Sequence, residues 1–197
     1  KTETDSLLKI MKISLASHLG MCFGVRDAIT LAHETAQHSR LTILGDLVHN
    51  PGVLQDLEHR GIRSQTNPTQ VTSGTVMITA HGASQRFRSQ LDHSSLEIKD
   101  ATCPLVKLAH RQLDLLVKRG YYPIIIGKAG HVEVRGMSED LDQYSIVLSA
   151  DDICDIPKQP RYGIVAQTTQ PIQRVRQLVH QISRRFPNSE IEFRDTV

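Results

Sequence analysis

Cys103 stands where a cysteine can do chemistry. The segment KDATCPLVKLAHRQLDLLVKRG, residues 99–120, leaves a short strand expected at Leu96–Lys99, and Pro104 then opens a helix. Proline suits the first helical position and forces the residue before it out of the α region. Cys103 therefore sits at a helix mouth beyond the carboxyl end of a strand, where free amides and the helix dipole favour a thiolate. A cysteine so placed can ligate a metal, attack an electrophile or simply be buried. Cys22 has a similar setting, between Gly20 and Gly24 in SHLGMCFGV just before another expected helix.

Further polar residues follow other expected strands in the same way. His49 precedes a plausible N-cap and first-turn proline in GDLVHNPG, with Asn50 as the cap. His81 lies beside Gly82 in AHGAS, with Ser84 as the next cap, and GKAGHVEV brings His131 and Glu133. QTTQP brings Thr168, with Thr169 or Gln170 as the cap before Pro171. In parallel α/β sheets ligands bind beyond the carboxyl ends of strands, where helix N-termini direct amides at anions. Each residue also has a plainer reading. Glu133 suits a first helical turn through the dipole alone, Thr168 suits a turn, and Cys154 in DDICDIP reads as a small buried hydrophobe. His33, His38, His59, His93, His110 and His180 read as solvated, and the arginines of the last helix as a wet face.

The elements that must position these groups alternate between β-branched runs and amphipathic runs. Strands are expected at Lys12–Ala16, Leu41–Leu44, Val76–Thr79, Leu96–Lys99, Tyr122–Ile126, Ser145–Leu148, Gly163–Ala166 and Glu190–Phe193. Helices are expected at Val25–Gln37, Pro51–Arg60, Gln85–Leu91, Pro104–Arg119, Val134–Leu141 and Pro171–Phe186. That alternation implies an α/β architecture with mainly parallel sheets. Eight strands are many for one small parallel sheet, so two similar lobes are expected: residues 11–103 and 104–197, after a flexible lead-in over residues 1–10.

Composition narrows the class. The chain has 197 residues, 39% hydrophobic and 22% charged, with a formal net charge of +2, which describes a globular protein and gives no argument for nucleic acid. It contains no apolar run long enough to span a membrane, and its first ten residues lack the hydrophobic centre of a signal peptide. Three widely spaced cysteines without a C-x-x-C make neither a disulfide scaffold nor a zinc ribbon, and the expected compartment is the cytoplasm.

The segments GMCFGVRDAI, LVHNPGV, TAHGAS, DATCPLV, GHVEVRG and AQTTQP, in that order, resemble the 4-hydroxy-3-methylbut-2-enyl diphosphate reductase family over nearly the whole chain from Met11. The resemblance implies a 4Fe–4S cluster held by three cysteines, of which Cys22 and Cys103 match the first two. The third is expected directly after Val197, so the chain is expected to form two lobes of a three-lobed trefoil, with the third lobe missing from it. His49, His81 and His131 would contact the substrate diphosphate, Glu133 would feed protons into the site, and Thr168 would orient the substrate hydroxyl and relay protons. The implied reaction is reductive dehydroxylation to isopentenyl and dimethylallyl diphosphates, with a ferredoxin or flavodoxin-type donor. Asp27 and Val132 depart from the family's usual residues without touching that chemistry.

Rival readings are another three-cysteine 4Fe–4S enzyme of the quinolinate-synthase kind and a zinc hydrolase using Cys103 and His131. The non-enzymatic rival is an inactive fragment or plain α/β anion-binding module. The ordered histidine and QTT motifs oppose the first, and the absence of H-E-x-x-H or paired-cysteine spacing opposes the second.

Overall fold

The computed structural model describes residues 14–15, 20–71, 74–92 and 96–197. The expected strand Lys12–Ala16 falls mostly outside that set, and the lead-in 1–10 and His93 fall wholly outside it. The first described helix, α1 (Phe23–His38), is followed by β1 (Leu41–Ile43), α2 (Pro51–His59), β2 (Arg63–Ser64), β3 (Thr75–Ile78), α3 (Gln85–Asp92) and β4 (Glu97–Asp100). The chain then repeats the pattern with α4 (Pro104–Lys118), β5 (Tyr122–Ile126), α5 (Val132–Ser138), β6 (Ser145–Val147), β7 (Arg161–Ala166), α6 (Ile172–Arg185) and β8 (Glu190–Phe193).

Among the described residues two four-stranded sheets result, ordered β2-β1-β3-β4 and β6-β5-β7-β8. Every pairing is parallel, so every strand points its carboxyl end to the same side of its sheet. The strand orders are the same, so the second sheet repeats the topology of the first. Burial follows from this arrangement. The central strands β3 and β7 are buried almost throughout, as expected of strands covered on both faces, whereas the edge strands β4 and β8 are half-exposed.

Helix α4 illustrates how sequence becomes packing. Its buried residues Val106, Ala109, Leu113 and Leu116 recur at helical spacing, and Arg119 and Gly120 end it, the latter at a φ of 79° that a glycine adopts without strain. The apolar face lies on β5 and β7, where Gly163 leaves room for it. A Cβ at Gly163 would stand 2.8 Å from Leu116 Cβ and 3.0 Å from Tyr121 Cβ, both close to the backbone and unable to swing away. Gly163→Ala is therefore expected to destabilise the protein by about 1–3 kcal/mol through overpacking, read as a fall in denaturation midpoint. An unchanged midpoint would show that the helix can slide off the strand.

Two structural details differ from the sequence expectation. The two-residue strand β2 and the 3-10 turns at Pro68–Gln70 and Asp151–Asp155 carry too few residues to show a period. Cys154, expected to be buried, lies exposed in the second of those turns. Among the described residues no helix is long and apolar enough to cross a membrane.

Candidate active site

The residues singled out by type return in pairs related by the repeat. Cys22 is the N-cap of α1 and Cys103 the N-cap of α4, each preceding the first strand of a sheet's repeat. His49 follows β1 as His131 follows β5, and His81 follows β3 as Thr168 follows β7. The same strand ends thus supply polar groups from both lobes, and the two sets meet at the seam between them.

Three imidazoles converge there. The ring centroids of His49 and His81 are 4.2 Å apart, those of His49 and His131 5.1 Å, and those of His81 and His131 5.8 Å. Asn50 fixes the chain beside His49 by accepting from Gly52 N–H at 3.0 Å and Val53 N–H at 3.2 Å, with Pro51 opening the helix. Burial, then the neighbouring His49 and His131, push the His81 imidazole down to about 4, with Asp46 opposing. Its Nδ1 is buried without a hydrogen-bond partner. Burial also lowers His131, helped by His49 and Lys128. Three imidazoles are thus crowded together, two of them, His81 and His131, held short of protons, a state that an anion would relieve by letting them charge.

His131 does more than border the cluster. It is itself the N-cap of α5, and its Nδ1 accepts from the Glu133 backbone N–H at 3.2 Å. A backbone amide can only donate, so Nδ1 must be unprotonated and the ring proton must sit on Nε2. The tautomer is set by the helix.

Two residues on, Glu133 is 1% exposed. Its Oε1 accepts from the Thr168 backbone N–H at 2.7 Å, and its Oε2 accepts from the Thr168 hydroxyl at 3.1 Å. Burial raises the Glu133 carboxyl, and the two bonds from Thr168 only partly offset that rise. Among the described residues no cation pairs with it, so the acid form is favoured more than at an exposed glutamate. A carboxyl tuned upward and joined to a hydroxyl is equipped to hand over a proton.

Gln167 holds Thr168 in place. Its backbone N–H donates to Ile126 O, its Oε1 accepts from Lys128 N–H at 3.0 Å, and its Nε2 donates to Thr169 Oγ1 at 2.9 Å. The loops after β5 and β7 are thereby tied together. A Cβ at Gly127 would stand 2.8 Å from Val134 Cγ2 and 2.9 Å from Gln167 Cβ, so the tie requires glycine there.

Cys103 packs against the helix that Cys22 caps. A Cβ at Gly24 would lie 2.6 Å from Cys103 Sγ, so the thiol of α4 rests on the first turn of α1, whose cap is Cys22. Neither thiol makes a capping hydrogen bond. Cys154 belongs elsewhere: its carbonyl accepts from Arg185 at the far end of the 14-residue helix α6, roughly 20 Å along the axis from the end that follows Thr168. Among the described residues no group of three or more His, Cys, Asp or Glu side chains is arranged to hold a metal ion.

Comparison with known proteins shows the family. A family model described as LytB protein matches residues 13–197. The chain belongs to the LytB family. LytB relatives include the 4-hydroxy-3-methylbut-2-enyl diphosphate reductases of Trichlorobacter lovleyi, 36% identical over 89% of this chain and 63% of that protein, and Geobacter metallireducens, 34% identical over 95% and 66%. The solved structure of the E-1-hydroxy-2-methyl-but-2-enyl-4-diphosphate reductase from Plasmodium falciparum superposes with a TM-score of 0.81 at 29% identity, covering 87% of this chain and 56% of that one. A second, of (E)-4-hydroxy-3-methyl-but-2-enyl diphosphate reductase, the terminal enzyme of the non-mevalonate pathway, gives 0.80 at 32% identity, covering 94% and 67%. The chain spans about three-fifths of the length of the curated relatives it matches, at 63% for Trichlorobacter lovleyi and 61% for a further reductase from Geotalea daltonii.

Within the LytB frame, the sequence reading placed Cys22, His49, His81, Cys103, His131, Glu133 and Thr168 at strand ends, and the fold brings His49, His81 and His131 together and joins Glu133 to Thr168. It missed the imidazole cap of His131, because histidine is not among the usual capping residues. The cap before Ile172 is Pro171 itself, without a side-chain bond, rather than Thr169 or Gln170. Nor is His110 solvated: its Nε2 is buried and unpartnered, and burial followed by the Arg88 charge lowers its pKa. The brace role of Gln167 had one signal, its place inside AQTTQP.

Proposed function

We propose that this LytB-family chain supplies diphosphate-binding and proton-donating residues for reductive dehydroxylation of 4-hydroxy-3-methylbut-2-enyl diphosphate to isopentenyl and dimethylallyl diphosphates. The observation that carries the reading is the convergence of His49, His81 and His131 from both lobes, adjoining the buried Glu133–Thr168 pair. The names of its relatives supply the reaction class.

The rings hold the diphosphate. A polyanion entering the cluster reverses the mutual repulsion of the imidazoles, so they can take up protons and bind it with charge-assisted hydrogen bonds. His131 presents Nε2–H because its other nitrogen is committed to Glu133 N–H. Glu133 then provides a proton and Thr168 relays it, its hydroxyl switching between donor to the carboxylate and acceptor from the acid. The surrounding strand ends keep the carboxyl dry.

Cys22 and Cys103 fit as two ligands of a 4Fe–4S cluster, with Gly24 leaving room for the second thiol. When bound, that cluster would supply the electrons and an iron able to take the substrate oxygen. Position 198 is the natural candidate for the third ligand. Thr196 Oγ1 donates to Ala166 O and accepts from Ala166 N–H, which ties residues 195–197 to the strand end preceding Thr168. A ferredoxin or flavodoxin-type protein is the proposed electron donor, and the cytoplasm the proposed compartment.

The test is anaerobic reconstitution of the protein, including whatever residue follows Val197, with iron and sulfide. The expected result is a brown protein that reduces the hydroxylated diphosphate. A protein that stays colourless and inactive after reconstitution overturns the assignment, and so does a residue other than cysteine at position 198.

A further inference from the structure

The spacing of the histidine cluster depends on how the two lobes are fastened, and the fastening is visible. Asp140, just beyond the end of α5, reaches into the first lobe and caps α3. Its Oδ2 accepts from Gln85 N–H at 2.6 Å and its Oδ1 from Arg86 N–H at 3.0 Å. Beside it, Glu139 Oε2 accepts from the Ser84 hydroxyl at 3.0 Å, and Ser84 Oγ accepts from Phe87 N–H at 3.2 Å. Three free amides in the first turn of α3 are satisfied, two of them by a carboxylate from the other lobe. The Arg86–Asp142 contact, at 3.9 Å between exposed side chains, adds little.

His81 lies three residues before Ser84, on the turn this clamp holds. His131 and Glu133 lie at the opposite end of the seven-residue α5, about 10 Å away along a rigid rod. One short helix therefore carries His131 at its start and grips the His81 turn just past its end. Between these points the His110 ring is wedged in the seam. A Cβ on Gly82 would stand 3.5 Å from its Nε2, and one on Gly136 would stand 3.4 Å from its Cε1.

We propose that Asp140 is a positioning residue for the histidine cluster, setting the distance between His81 in one lobe and His131 in the other by capping α3 across the seam. The consequence for ligand binding rests on the reading that this cluster holds a diphosphate; the effect on the cluster itself does not.

Two measurements separate those claims. The first follows the imidazole resonances of the ligand-free protein through a pH titration. His81 faces His49, His131 and Asp46, and burial together with the two rings holds it down to about 4. In Asp140→Ala the rings part and water enters between them, so both the burial and the ring repulsion that depress His81 ease, and its midpoint is expected to rise towards the ordinary histidine value of about 6.5. Asp140→Asn, whose amide oxygen still accepts from one of the two N–H groups, is expected to fall between. An unchanged His81 midpoint in a folded Asp140→Ala protein overturns the proposal whether or not diphosphate binds.

The second measurement titrates inorganic diphosphate by calorimetry. Asp140→Ala is expected to weaken binding by about tenfold, and to have no further effect once His81 is already Ala. Losses that simply add, as from general destabilisation, count against positioning. If the wild type fails to bind diphosphate while the His81 midpoint still moves, the diphosphate reading falls and the positioning inference stands.

Discussion

Glu133→Gln is expected to lower turnover by a factor on the order of 10²–10⁴ while leaving the fold and the two cysteine positions intact. The amide is nearly isosteric and can keep both contacts with Thr168. Its oxygen can accept from the Thr168 N–H, now 2.7 Å from Oε1, and its NH2 can donate to the hydroxyl, now 3.1 Å from Oε2. What is lost is the transferable proton. Stability supplies a second, independent readout. Burial raises the wild-type carboxyl above its ordinary value. The folded state therefore holds the proton over a pH range in which the unfolded chain has released it, and stability falls as pH rises through that range. Glutamine has no such penalty, so the variant should equal or exceed the wild type in denaturation midpoint at pH 8. A stable variant with near-normal turnover would remove Glu133 from the proton path. An unstable one would mean that the carboxylate supports the fold.

The contrast between fold and site lies in what each leaves in a linear sequence. Tyr122–Ile126 was readable to the residue because its isoleucine run ends abruptly at Gly127, and Glu190–Phe193 because polar and apolar residues alternate along it. The helix at Pro104 was readable because proline marks its first position and Gly120 its end. The start of α5 was not: its cap is an imidazole, so a periodic reading began it at Val134 instead of Val132. The strand-end rule selected His49, His81 and His131 by position. It could not reveal that they converge, because their spacing depends on two lobes meeting. For the same reason the Asp140 cap on α3 and the His110 wedge were invisible: each joins residues far apart in sequence through geometry that no local pattern encodes. Nor could composition reveal that Cys154 is exposed, since a five-residue 3-10 turn has no apolar face to predict from.

The pH response of the histidine cluster gives the second large effect. His81 is held down to about 4 by burial, His49 and His131, against an unfolded value near 6.5. For a base with a depressed folded pKa, the unfolded chain binds the proton first. Stability is then fully present above pH 6.5 and is lost progressively as pH falls towards 4. His81→Phe removes that contribution, so the fall in denaturation midpoint between pH 6.5 and 4.5 is expected to become shallower. It does not vanish, because His131 and His110 are lowered by burial as well. Ligand binding should run the same linkage in the other direction. On the proposed reading that the cluster holds diphosphate, the anion would stabilise the charged rings, so its binding near pH 7 should take up protons, measured as a dependence of calorimetric heat on the ionisation enthalpy of the buffer. Affinity should accordingly rise as pH is lowered from 8 to 6, and His81→Phe should lose both the uptake and much of the affinity. Binding without proton uptake would mean that the rings meet the diphosphate as neutral donors. The anion would then owe its hold to directed N–H groups, foremost the Nε2–H that α5 imposes on His131 by using its Nδ1 as a cap.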